Sequence, residues 1–192
     1  METFLTSAAV VALAEIGDKT QLLAILLATR FGKPMPIVAG IFAATIANHF
    51  LAALLGAQAA AFLDGQWFRV AIGLSFVAMA AWTLVPDRLD DDDGTPRTFA
   101  RGAFMTTLVA FFLVEMGDKT QIATVALGSR FGDALLVTFA TTIGMMIANV
   151  PAVFLGNALL QYISLSTVRL VAAGLFLLIG IVVLLQAGGL AT

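Results

Sequence analysis

Apolar runs of bilayer length dominate this chain, and short polar interruptions separate them. A helix that crosses a bilayer needs about 20 mostly apolar residues. Six such runs stand out, at about residues 3–28, 35–61, 67–86, 99–128, 133–160 and 167–187. Arg30 to Pro36, Asp64-Gly65-Gln66, Arg130-Phe131-Gly132-Asp133 and Ser164-Leu165-Ser166 mark short connections, and Asp87 to Arg97 marks the one long loop. Trp67 and Tyr162 fall at run ends, where amphipathic aromatic rings suit a membrane–water boundary. The pattern predicts an all-α integral membrane protein with six transmembrane helices.

The runs repeat. Residues 15–21 read EIGDKTQ and residues 115–121 read EMGDKTQ. Arg30-Phe31-Gly32 recurs as Arg130-Phe131-Gly132, and Ile46-Ala47-Asn48 recurs as Ile147-Ala148-Asn149. The chain therefore divides into a first three-helix repeat (1–86), an acidic linker loop (87–98) and a second three-helix repeat (99–192). Three crossings per half make the halves enter the membrane from opposite sides. Such inverted repeats place a substrate site near the midplane, where the halves face each other.

Composition agrees with the pattern. Hydrophobic residues make up 60% of the chain and charged residues 11%, and the mean hydropathy is +1.01. Soluble domains carry about twice that charged share. The chain has no Cys, which excludes disulfides and thiolate metal sites. A net charge of -2 without a basic stripe gives no sign of nucleic-acid binding. Met1-Glu2-Thr3 supplies no basic lead into the first run, and that run holds Glu15, Asp18 and Lys19, so no cleavable signal is expected. Arg30, Lys33, Arg88, Arg97, Arg101 and Arg169 fall on one side of the expected topology, and Arg69 and Arg130 on the other. The bias puts the first set in the cytoplasm and both termini outside.

Four of the twelve acids, Glu15, Asp18, Glu115 and Asp118, lie inside expected spans. One such group at the bilayer centre costs about 2.5–3.5 kcal/mol, so all four need compensation. Glu15 and Asp18 are three apart and share a helix face, as do Glu115 and Asp118. If the two spans meet, four carboxylates converge. Lys19 and Lys119 return two positive charges and leave -2, which suits one divalent cation or two protons. Gly17 and Gly117 permit close helix approach. Thr20, Gln21, Thr120 and Gln121 offer further oxygens one turn on, and Asn48 and Asn149 offer amide carbonyls from the middle of the second and fifth spans. Pro151 is placed to bend the fifth span and free main-chain carbonyls. An all-oxygen set suits Mg²⁺, Ca²⁺ and Mn²⁺ over softer metals. Carboxylates shielded from water hold protons when no cation is present, so metal and proton compete for one site and alternating access gives exchange.

Each of these features has a plainer reading. The acids and lysines could form a structural ion-pair network, because each Lys stands four residues after a Glu. The asparagines could bond helix to helix. His49, the only histidine, could shuttle protons, but the other half has Val150 in that place, so it reads as structural. Met116, Met145 and Met146 lie near the second motif; a thioether favours manganese over calcium, although methionine in an apolar span is usually packing. Asp90 to Asp93 reads as a solvated linker. The recurrence of the acids in both halves favours function over the ion-pair network.

EIGDKT and EMGDKT resemble the paired Glu-x-Gly-Asp-Lys/Arg-Thr/Ser signature of the Golgi-type calcium/manganese transporter family. That family includes bacterial manganese exporters of the MneA type and belongs to a cation/proton exchanger superfamily. The resemblance extends over nearly the whole chain. It implies that manganese or calcium leaves the cytosol in exchange for protons, with Glu15, Asp18, Glu115 and Asp118 binding the ion. It also implies a bacterial inner-membrane location and favours manganese. A Ca²⁺/H⁺ antiporter is the nearest alternative, and a small cationic solute exporter or a non-transporting scaffold are more distant ones. No nucleophile–base pair, phosphate loop or cofactor motif appears, so no enzyme and no cofactor are expected. The expected partners are a divalent ion, protons and the lipid bilayer.

Overall fold

A computed structural model describes residues 1–63, 65–85, 102–156 and 164–189. Regular structure among the described residues is entirely helical: α1 (Glu2–Glu15), α2 (Lys19–Phe31), α3 (Pro34–Phe62), α4 (Gln66–Thr83), α5 (Gly102–Glu115), α6 (Lys119–Phe131), α7 (Ala134–Leu155) and α8 (Leu165–Ala187). By length and composition α3, α7 and α8 could each cross a membrane, and α5 is a shorter apolar helix. The acidic run Asp90 to Asp93, the 87–98 linker and Tyr162 lie outside the described residues.

The apolar runs at 3–28 and 99–128 each read as one helix, and each is two. Gly17 and Gly117 adopt φ of 81° and 79°, in the left-handed region open to glycine. Asp18 and Asp118 follow in extended conformation and start α2 and α6 as N-caps. The helix therefore stops at Glu15 and at Glu115 and restarts at Lys19 and at Lys119. Both acids of each motif flank the break rather than sharing a continuous helical face. α7, by contrast, continues through Pro151 to Leu155.

Small residues set how closely the helices approach, as is common for helices packed in lipid. Gly144 of α7 seats on the main chain of Ala8 and Ala12, and Asn149 lies beside Glu15, so α7 runs parallel to α1. Gly40 of α3 meets Phe104 and Thr107 of α5, while Gly56 meets Val125 and Ser129 of α6, so α3 runs parallel to α5 and α6. Gly73 meets Leu184 while Val77 meets Gly180, which sets α4 antiparallel to α8. Phe76 and Phe176 close that pair, with ring centroids 6.3 Å apart. Arg130, in the last turn of α6, lies 3.7 Å from Glu2 in the first turn of α1.

Polarity is arranged inside out. Glu15, Asp18, Thr20, Gln21, Asn48, His49, Glu115, Asp118, Thr120 and Asn149 are buried. Leu55, Phe139, Ile147, Leu170 and Leu178 are exposed on the outside of α3, α7 and α8. Water would penalise both choices, whereas hydrocarbon rewards the outer one. Trp67 is exposed in the first turn of α4.

Candidate cation site

Each break is closed by its own motif. The Gly17 N–H donates to Gln21 Oε1 at 2.9 Å, and the Gly117 N–H donates to Gln121 Oε1 at 2.7 Å. The glutamine carbonyl oxygens therefore satisfy main chain that the interrupted helix leaves without a partner. Gln21 also ties α2 to α7 by donating from Nε2 to the Ala148 carbonyl at 3.0 Å.

The threonines aim the glutamates. Thr20 Oγ1 donates to Glu15 Oε2 at 2.5 Å, and Thr120 Oγ1 donates to Glu115 Oε2 at 3.0 Å. In each motif the same hydroxyl stands 3.3–3.4 Å from the Asp Oδ2. A hydroxyl has one proton to give, so each threonine binds one carboxylate at a time and keeps both within reach.

The two motifs come together. Glu15, Glu115 and Asp118 each bring one carboxylate oxygen within 4.8 Å of the other two. Asp18 is joined to the cluster through the opposite half: Lys119 Nζ lies 2.5 Å from Asp18 Oδ1, and Lys19 Nζ lies 3.2 Å from Asp118 Oδ1. The lysines thus pair with aspartates across the halves. Spacing within one helix does not predict these partners, because the helix is broken between each Glu and the Lys four residues after it. The crossed pairs are unequal. The Lys119 and Asp18 side chains are 3% and 0% exposed, whereas Lys19 is 21% exposed.

Asn149 Nδ2 reaches Glu15 Oε2 at 3.3 Å, so α7 contributes directly beside the first motif. Asn48 Nδ2 donates instead to the Phe112 carbonyl at 3.0 Å, three residues before Glu115. Among the buried carboxylate and amide oxygens of the described residues, Glu15 Oε1, Glu115 Oε1, Asn48 Oδ1 and Asn149 Oδ1 have no hydrogen-bond partner, while Asp18 Oδ1 is held by Lys119. All are acceptors. Buried acceptors rarely go without a donor, and a cation satisfies carboxylate and amide oxygens together. His49 is buried, and neither ring nitrogen has a hydrogen-bond partner.

Over residues 3–91 and 103–190 the chain matches the family described as divalent cation/proton antiporter GDT1. The chain belongs to the GDT1 family. Membership makes it a membrane transporter of divalent cations and protons, a class of carriers and not of enzymes. It is 48% identical over 182 residues to a Vibrio cholerae protein whose given name proposes a manganese exporter, covering 94% of this chain and 90% of the relative. A GDT1-like protein of Synechocystis is 28% identical over 95% of this chain and 96% of its own. GDT1-like protein 5 of Arabidopsis thaliana is 27% identical over 94% of each chain. No solved structure matches. Within this GDT1 chain, the converged carboxylates and unpartnered amide oxygens form a buried set of hard oxygen donors.

Proposed function

We propose that this chain exports Mn²⁺ from the cytosol in exchange for protons, through one site that both motifs share. Glu15, Asp18, Glu115 and Asp118 supply carboxylate oxygens, and Asn48 and Asn149 supply amide carbonyls. Thr20 and Thr120 orient the glutamates, Gln21 and Gln121 hold the helix breaks, and Lys19 and Lys119 balance charge. The observation that carries this is the meeting of Glu15 with Glu115 and Asp118, with buried acceptor oxygens still unpaired.

Residues 1–86 and 99–192 then act as inverted halves, each crossing the membrane three times. The helix directions support this: α1 parallel to α7, α3 parallel to α6, and α4 antiparallel to α8 are the relations two inverted halves require. The Glu2–Arg130 contact fits a shared side for the start of α1 and the end of α6. The excess of basic residues in the loops after α2, after α4 and before α8 supports a cytoplasmic side there, with both termini outside. The 48% relative favours manganese and a bacterial cell membrane.

The crossed lysines suggest how the site changes occupant. Each ammonium group neutralises a carboxylate of the other half, so the halves are held together from within. A divalent ion that takes the carboxylate oxygens releases those ammonium groups, and protons replace the ion after it leaves. Calcium is the second reading, because an oxygen set of this kind also accepts Ca²⁺.

Flux into proteoliposomes tests the proposal. Vesicles that are acidic inside are expected to accumulate Mn²⁺, and dissipating the pH gradient is expected to stop it. Uptake indifferent to the gradient would rule out exchange. Calcium carried in preference to manganese would establish the second reading.

A further inference from the structure

The three methionines near the second motif have different surroundings. Met116 is 57% exposed, and Met146 packs against the apolar cluster around Phe111. Met145 is fully buried, one helical turn before Asn149. Its Sδ lies 3.0 Å from Asn149 Nδ2, and that nitrogen lies 3.3 Å from Glu15 Oε2. A single amide group therefore separates the thioether from a site carboxylate. The 101-residue offset that relates Asn149 to Asn48 relates Met145 to Ala44, also buried. A methyl group fills this position in one half, so the sulfur is specific to the other.

We propose that Met145 Sδ joins the ligand shell of the transported ion and selects Mn²⁺ over Ca²⁺, an inference that rests on the cation reading of the site. Calcium takes six to eight hard oxygen ligands. A thioether is a softer donor that a first-row transition ion accepts and calcium does not favour. Methionine has three rotatable bonds, which let the sulfur move from the Asn149 amide to an ion held by Glu15. Asn149 Oδ1, buried and unpartnered, is available to the same ion when the amide turns. Sulfur and amide oxygen then arrive from one turn of α7, whereas the matching turn of α3 carries Ala44 and Asn48.

Met145→Leu conserves volume and removes the sulfur. In proteoliposomes holding the full chain, the ratio of kcat/KM for Mn²⁺ over Ca²⁺ is expected to fall about ten- to a hundredfold, with calcium flux kept. An unchanged ratio overturns the inference, and so does a folded variant that loses both fluxes. X-ray absorption of the unaltered chain loaded with Mn²⁺ gives a readout independent of any variant. A sulfur neighbour in the shell is expected, and a shell of oxygen and nitrogen alone overturns the inference. An unaltered chain that takes up neither ion overturns the cation reading, and this inference with it.

Discussion

Glu115→Gln and Glu15→Gln are each expected to remove metal transport while leaving the fold intact. Gln keeps the shape of Glu, and its carbonyl oxygen still accepts the bond from Thr120 or Thr20 that positions the side chain. Neither glutamate is paired to a lysine by the crossed bridges, so neither substitution strands a buried ammonium group. Each does replace a charged oxygen at the meeting point of the motifs with a neutral amide. Losing a mere supporting partner of a metal ligand costs about ten- to a hundredfold, so losing the ligand charge itself should cost at least about a hundredfold in flux. Asp118→Asn should act similarly, because Lys19 is partly exposed and reaches water. Flux in vesicles, compared with size-exclusion profiles in detergent, separates lost transport from lost fold. A Glu variant that moved metal at the parent's rate would remove that residue from the site.

Lys119→Gln is expected to be the most destabilising change to the motifs, and clearly worse than Lys19→Gln. The Lys119–Asp18 pair is almost wholly shielded, at 3% and 0% exposure. Breaking a buried pair by removing one partner costs about 3–5 kcal/mol, because the other charge stays behind. Lys19 is 21% exposed, so water offsets part of what Asp118 loses. Thermal unfolding in detergent should therefore place Lys119→Gln well below Lys19→Gln. Equal midpoints, or the reverse order, would show that the crossed pairs do not hold the halves together.

Much of this was legible in the chain, and what was not has a common cause. The helices at α3, α7 and α8 follow from apolar length alone. The repeat, read from EIGDKTQ and EMGDKTQ, pointed to a meeting of carboxylates that the distances bear out for Glu15, Glu115 and Asp118. The helix breaks do not show in the apolar pattern, because the runs continue through them. The signal was present as Gly followed by Asp, a left-handed residue followed by an N-cap. The lysine exchange could not be read from spacing, since spacing measures neighbours along one helix and these partners lie 99 residues apart or more. The glutamine oxygens looked like possible ligands and instead accept from Gly17 and Gly117. Met145 differed from Met116 and Met146 only once the fold showed which face of α7 meets the first motif.

The claim that two motifs make one site is tested most directly by counting bound ions. Equilibrium dialysis of the purified chain with Mn²⁺ should give one ion per chain, and either Glu15→Gln or Glu115→Gln alone should abolish that binding. Two ions per chain, with each variant retaining one, would show that the motifs bind separately and would contradict the account.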